Sequence, residues 1–302
     1  MKIKIFIIMA LCSLSTIAQQ EPQYTQYTYN IGVVNPAYMI NEPGLVRVGS
    51  LYRSQWVGLD GAPETANVFG NIPINERVEI GINYVNDRIG DVLTQNYFNA
   101  NFAYRINVGK TANLSFGLKL GIDNLSLDFT GQGLEGDSAF QNDQTNNIDI
   151  GTGLFLFDHN YYIGLSSPNI IPYEIESGTT NILYKNDPTV YFIAGYVYDV
   201  NDVLKIKPSA VTKWTSGAPL TYDLSLNALY ANRFELGVSY RHQDAVAALA
   251  AFNVTQDLKI GYSYDFNTSE LNRFNNGSHE LVLIYTFDLI GLQKRYISPR
   301  FY

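Results

Sequence analysis

An all-β, up-and-down antiparallel transmembrane barrel is the fold this sequence predicts. Three observations predict it. Apolar and polar residues alternate with period two in about fourteen runs, the pattern of strands with one apolar face. The connections between the runs are alternately short and, with the exception of His242-Gln243-Asp244, longer, as in barrels of the outer membrane, where short turns face the periplasm and long loops the exterior. Only 16% of residues are charged, while 23 Tyr and 16 Phe enrich the apolar face. A soluble sandwich would hide its apolar face between two sheets and carry more outer charge.

The elements follow in order. Lys2 and Lys4 precede the apolar run Ile5–Leu14, and Thr16 and Ala18 sit at the −3 and −1 positions of a cleavage site before Gln19. Residues 1–18 therefore read as a secretory signal peptide, too short in its apolar run to span a membrane as a helix. Leu11 before Cys12 argues against a lipid anchor, because the residue preceding a lipidated cysteine is small. Loss of the signal leaves a cysteine-free chain that has also lost two lysines, so disulfides contribute nothing to its stability.

Residues 19–43 are expected as an N-terminal periplasmic segment, 44–288 as the barrel and 289–302 as a C-terminal periplasmic tail, the two end segments serving either to dock periplasmic partners or to plug the barrel. The expected strands are 44–53, 65–73, 77–86, 93–106, 112–127, 148–157, 160–167, 188–199, 202–213, 220–230, 233–241, 245–253, 256–264 and 279–288. Runs such as Phe234-Glu235-Leu236-Gly237-Val238-Ser239-Tyr240-Arg241 show the alternation that defines them. An even strand count places both mature termini in the periplasm.

The polar face of the strands includes Arg47, Arg53, Arg105, Lys119, Lys207, Arg241 and Lys259, against Glu79, Asp149, Asp223, Glu235 and Glu280. These charges are close to balance, which predicts ion pairs across the lumen rather than a pore of one sign.

Other chemistry is weakly represented. A net charge of −8 and no concentrated basic run argue against nucleic-acid binding. His159, His242 and His279 are isolated, so no zinc site is expected. Gly131-Gln132-Gly133-Leu134-Glu135-Gly136 leads into a polar loop rather than a helix, and reads as a loop and not a phosphate cradle. The acidic residues between 128 and 149 fit no calcium-loop spacing and read as a solvated surface. No cofactor is expected. No nucleophile elbow or rim Ser/His pair assembles from the sequence, so an outer-membrane acyltransferase or phospholipase lacks its residues. A general porin or solute transporter stays open as an alternative.

Several local motifs converge on one family. Gln23-Tyr24-Thr25-Gln26-Tyr27 and Asn35-Pro36-Ala37 follow the signal. Next comes Arg53-Ser54-Gln55-Trp56-Val57-Gly58-Leu59-Asp60-Gly61-Ala62-Pro63. Gly261-Tyr262-Ser263-Tyr264-Asp265, Gly277-Ser278-His279-Glu280 and the terminal Ser298-Pro299-Arg300-Phe301-Tyr302 complete the set. In this order they resemble the PorP/SprF family of Bacteroidota outer-membrane proteins, associated with type IX secretion and gliding motility. The terminal Phe301-Tyr302 departs from the family's usual ending of an aromatic residue followed by Phe.

The resemblance implies a fourteen-stranded, non-enzymatic barrel surrounded by outer-membrane lipid. It implies partners of one of three kinds: secretion components, a periplasmic peptidoglycan-linked protein, or a secreted surface adhesin. Candidate partner-binding positions on these motifs are Asn35, Pro36, Arg53, Gln55, Trp56, Gly61, Pro63, Ser278, His279, Glu280, Ser298, Pro299, Arg300 and Phe301. The 53–63 stretch has two readings: a rim anchor with a tight hairpin loop, or a partner surface. The tail carries Lys294, Arg295 and Arg300 with no acid, beside two terminal aromatics suited to anchoring.

Overall fold

A computed structural model of the chain describes residues 22–40, 44–132, 141–177 and 181–288. The strands are β1 (Leu45–Ser54), β2 (Glu64–Pro73), β3 (Val78–Ile89), β4 (Leu93–Val108), β5 (Ala112–Leu127), β6 (Asp143–Phe157) and β7 (Tyr161–Ser167). A hairpin of β8 (Tyr173–Ser177) and β9 (Asn181–Asn186) follows. Then come β10 (Thr189–Tyr196), β11 (Tyr198–Asp199), β12 (Leu204–Thr215), β13 (Thr221–Tyr230), β14 (Phe234–Arg241), β15 (Ala245–Asn253), β16 (Leu258–Asn267) and β17 (Ser278–Asp288).

Each barrel strand pairs antiparallel with its neighbour, and β1 pairs with β17 from Leu45↔Asp288 to Ser54↔His279, which closes the ring. β11 continues β10 along β12, and β8–β9 stand apart, so fourteen strands form the barrel. The predicted architecture is borne out. No helix among the described residues is long and apolar enough to cross a membrane; this barrel crosses with strands.

The alternation explains the wall. Along β5, Phe116, Leu118, Leu120 and Ile122 point outward and stay exposed, up to 64% at Leu120. Leu236 and Val238 of β14 and Leu281 and Leu283 of β17 do the same. Apolar area of this extent is stable only against lipid. The turns 74–77, 109–111, 158–160, 200–203, 231–233 and 254–257 are short and lie at one rim. At Ala231 and Asn232 both φ angles are +52°, the backbone of a two-residue hairpin turn whose twist matches its strands. At another turn the Thr111 hydroxyl and the His159 amide donate to Asp158, holding its carboxyl below its usual pKa.

Two parts of the chain depart from expectation. Residues 168–187, expected as a loop, contain the β8–β9 hairpin. Residues 22–40, expected in the periplasm, lie inside the barrel as an inner segment with two short 3-10 turns, Tyr27–Tyr29 and Ile31–Val33. The physical reason is on the wall. The inward face was expected to be polar throughout, but Leu51, Phe69, Phe155, Phe157, Ile193, Val282 and Ile284 also point inward and are buried. They pack against Tyr24, Tyr27, Tyr29, Ile31, Val34, Ala37, Tyr38 and Ile40 in two clusters. Each fully buried aliphatic or aromatic side chain contributes about 1.5–3 kcal/mol. Left in the periplasm, the segment would expose both itself and this apolar part of the lumen to water.

Candidate functional site: a filled lumen and its ionic cluster

The motif residues meet inside the barrel. Asn35 is wholly buried. Its side-chain amide donates to the Leu154 carbonyl at 3.0 Å, and its Oδ1 accepts from the Ala37 amide at 2.9 Å. Pro36 and Ala37 sit in a recess of the β5–β7 wall made by three glycines. A Cβ on Gly117 would lie 2.1 Å from Ala37 N, one on Gly153 2.3 Å from Asn35 Oδ1, and one on Gly164 2.6 Å from Asn35 Nδ2. The Asn-Pro-Ala motif is thus shaped to its seat: backbone of Pro36 and Ala37 passes over Gly117, and the Asn35 side chain lies over Gly153 and Gly164.

A second seat is ionic. The Arg53 guanidinium of β1 binds Asp265 of β16 at 2.9 Å and Glu280 of β17 at 3.2 Å. Its Nη1 also donates to Thr25 Oγ1 at 3.0 Å, and that hydroxyl donates to Asp265 at 2.6 Å. The backbone amides of Thr25 and Gln26 donate to the two oxygens of Glu280 at 2.9 and 2.7 Å. Arg241 of β14 joins from the side, bound to Asp223 at 3.0 Å, Asp244 at 3.3 Å and Asp265 at 3.6 Å. These buried charges are tolerable because each has hydrogen-bonded partners of opposite sign.

Lower on the wall, Lys259 pairs with Glu235 at 2.9 Å and stands 4.7 Å over the Tyr29 ring, whose hydroxyl also donates to Glu235. Asn30 reaches Asn67 at 2.8 Å, and the Ile40 amide donates to both oxygens of Glu79 at 3.0 Å. Lys119 and Asp149 pair at 2.6 Å across β5 and β6. Asp149, counted in the sequence both among the inward charges and with the acidic residues between 128 and 149, belongs to the lumen. The expected mixture of signs is present, and Asp87, Asp123, Asp265 and Lys213 join the buried set.

The 53–63 and 277–280 motifs form one structure at the long-loop rim. The Gln55 amide donates to the Pro63 carbonyl at 2.9 Å, closing the loop, and Gly61 has φ +75° beside Gly90. Trp56, at φ +45°, donates its amide to Ser278 Oγ at 3.1 Å. The Val57 amide donates to the Gly277 carbonyl, and the Asn276 amide to the Val57 carbonyl. His279 faces outward, its Nδ1 2.6 Å from the Tyr262 hydroxyl and its ring against Tyr264. His242 stacks on Tyr222 at 4.6 Å. Both histidines sit in an aromatic rim of the kind that lies at a membrane interface. Ser298, Pro299, Arg300 and Phe301 lie outside the described residues.

The hairpin fills the mouth over β4 and β5. Ile175 and Tyr184 cluster with Leu93, Leu125 and Leu127. Tyr173 stacks on Tyr184 at 5.7 Å, and their hydroxyls bind Asp123 and Gln95. No group of His, Cys, Asp and Glu able to hold a metal occurs among the described residues.

The comparisons with known proteins agree with this geometry. The family model described as type IX secretion system membrane protein PorP/SprF matches residues 16–285. No curated protein matches the chain. Among solved structures, the toluene transporter TbuX of Ralstonia pickettii superposes with a TM-score of 0.51 at 11% identity, covering 88% of this chain and 94% of that one. The CymD monoaromatic hydrocarbon channel gives 0.51 at 12% identity, over 90% and 94% of the two chains. The P. putida toluene transporter TodX gives 0.50 at 11%, over 86% and 94%. At such identities the likeness concerns the outer-membrane barrel fold alone. With the barrel built and the family match running through nearly all of it, the chain belongs to the PorP/SprF family of type IX secretion system membrane proteins.

Proposed function

We propose that this protein is a closed, non-enzymatic barrel that serves the type IX secretion and gliding machinery as a docking component, supporting the export or surface anchoring of a partner adhesin. The observation that carries the reading is the filled lumen: residues 22–40 pack through it, and the β8–β9 hairpin packs into its mouth. A solute channel needs a continuous wet path, and this interior is occupied by buried side chains and ion pairs. What such a barrel offers partners is its two rims.

At the long-loop rim, loops 55–63 and 268–277 are tied into one platform that exposes Leu59 and Phe274 to a surface partner. At the short-turn rim β17 ends at Asp288, and Arg300 and Phe301 of the tail are the residues assigned to engage a periplasmic peptidoglycan-linked protein. Gentle detergent purification of the tagged barrel, with identification of co-purifying proteins, tests the reading. Secretion components or one surface protein are expected. Planar-bilayer recordings are expected to show no conductance; steady ion flow through the intact protein with no co-purifying partner would favour the porin alternative.

A further inference from the structure

The inner segment does not enter and leave the barrel by the same mouth. Its later end is fixed at the short-turn rim, where the Ile40 amide binds Glu79. Glu79 is the second residue of β3, just after the short turn from β2. Its earlier end is fixed at the opposite rim. Thr25 binds Arg53, Asp265 and Glu280, which stand where β1, β16 and β17 adjoin loops 55–63 and 268–277.

Pro22, Gln23 and Tyr24 continue toward that rim. They line a recess with Lys213, Thr221, Tyr222 and Arg241, residues at the ends of β12, β13 and β14 that border 216–220 and 242–244. The last barrel strand finishes at the other rim, with Asp288 opposite Leu45. The two ends of the described chain therefore lie at opposite mouths.

We infer that the mature amino terminus is displayed on the long-loop side of the barrel, at the cell surface, with the end of β17 in the periplasm. Pro22 lies three residues after the expected cleavage point, and three extended residues span about 11 Å at most. That reach is far shorter than a membrane, whose hydrocarbon core alone is about 30 Å thick. In an outer-membrane barrel the long loops face outward. The expectation that an even strand count puts both termini in the periplasm fails because the segment before β1 itself crosses the lumen, adding one traverse to fourteen.

A short epitope inserted between Gln20 and Glu21 of the full-length chain tests this in whole cells. Antibody is expected to bind intact cells. In the same strain background a membrane-impermeant maleimide should label Asn142→Cys, on a long loop, and not Asn160→Cys, on a short turn. Epitope detected only after the outer membrane is permeabilised overturns the inference. Gln23→Cys provides a smaller perturbation at a partly buried position of the recess: labelling of intact cells supports the inference, and labelling only of permeabilised cells overturns it. If Asn160→Cys rather than Asn142→Cys is labelled from outside, the barrel is inverted and the surface assignment falls. Partner co-purification is read independently of the epitope and Gln23→Cys results, so the docking role stands or falls separately from the path of the terminus; inversion of the barrel would exchange the two rims.

Discussion

Gly117 and Arg53 show how much one residue can decide here. A Cβ at Gly117 would meet backbone atoms of Pro36 and Ala37 at 2.3 and 2.1 Å, and backbone has no flexible end to swing away. Gly117→Ala is expected to unseat the Asn-Pro-Ala motif at a cost of about 1–3 kcal/mol. Residues 22–40 should become protease-sensitive while the barrel keeps its heat-modifiable gel mobility. Gly70→Ala is the control, because its Cβ would meet only an ordinary 3.7 Å contact with Arg47 O. Arg53→Met should do more, since it strands the buried carboxylates of Asp265 and Glu280. A loss of about 3–5 kcal/mol is expected, read as a lower temperature for conversion to the unfolded gel band. Arg53→Met combined with Glu280→Gln should recover part of it.

Both members of the Arg53–Glu280 pair were legible as inward charges from strand parity alone. Asp265 was not, because an expected strand end at 264 left it in a loop one residue short of its seat.

At the scale of elements, long amphipathic strands were readable and short ones were not. All fourteen barrel strands overlap their expected runs because each has one face in lipid, where any polar residue would break the pattern. β8 and β9 are only five and six residues long and contact no lipid-like stripe; their stability comes from packing on Leu93, Leu125 and Leu127, which local sequence does not show. The first five residues of β6, Asp143–Asn147, are polar throughout and pair with β5 beyond the apolar band, so the alternation gave no sign of them.

The inner segment did leave a signal. Val282 and Ile284 of β17 and the inward Phe155 and Phe157 are apolar on the lumen side, which a water-filled interior would not tolerate. These elements make separate contributions to closure. Replacing 173–186 by a short Gly/Ser linker should leave bilayer conductance near zero, since residues 22–40 remain in place. Deleting 22–40 should open a measurable conductance in whatever fraction still inserts.

For the whole molecule, fold class and strand number followed from periodicity, and the grouping of short and long connections at opposite rims from their lengths, while the path of the N-terminal residues did not. Periodicity reports which face meets lipid, and its only trace of what lies within is the few apolar residues of inward parity. The family motifs were visible as words in the sequence, yet their relation is spatial: Thr25, Arg53, Asp265 and Glu280 come from four separate stretches and share one cluster. The tail makes the remaining prediction at this scale. Replacing Arg300 and Phe301 by Ala should abolish secretion or surface display with barrel abundance unchanged. A parallel fall in abundance would make the tail an assembly element instead.

The path of residues 22–40 has a consequence in time. A segment that passes through a ring closed by its own later strands is packed most directly when the ring forms around it, because afterwards its free end would have to thread a lumen already narrowed by the inward side chains it packs against. The contacts that complete the ring and those that hold the segment are partly the same, since Glu280 faces Arg53 across the β1–β17 seam and also receives the amides of Thr25 and Gln26, about 255 residues earlier in the chain. Contacts so distant in sequence form slowly. Seam closure thus becomes a checkpoint at which the first and last synthesised parts of the barrel meet over a template that belongs to neither strand. A barrel inserted without residues 22–40 should therefore stay conducting when a synthetic peptide of that sequence is added later. The same peptide present during refolding should be captured and lower the conductance.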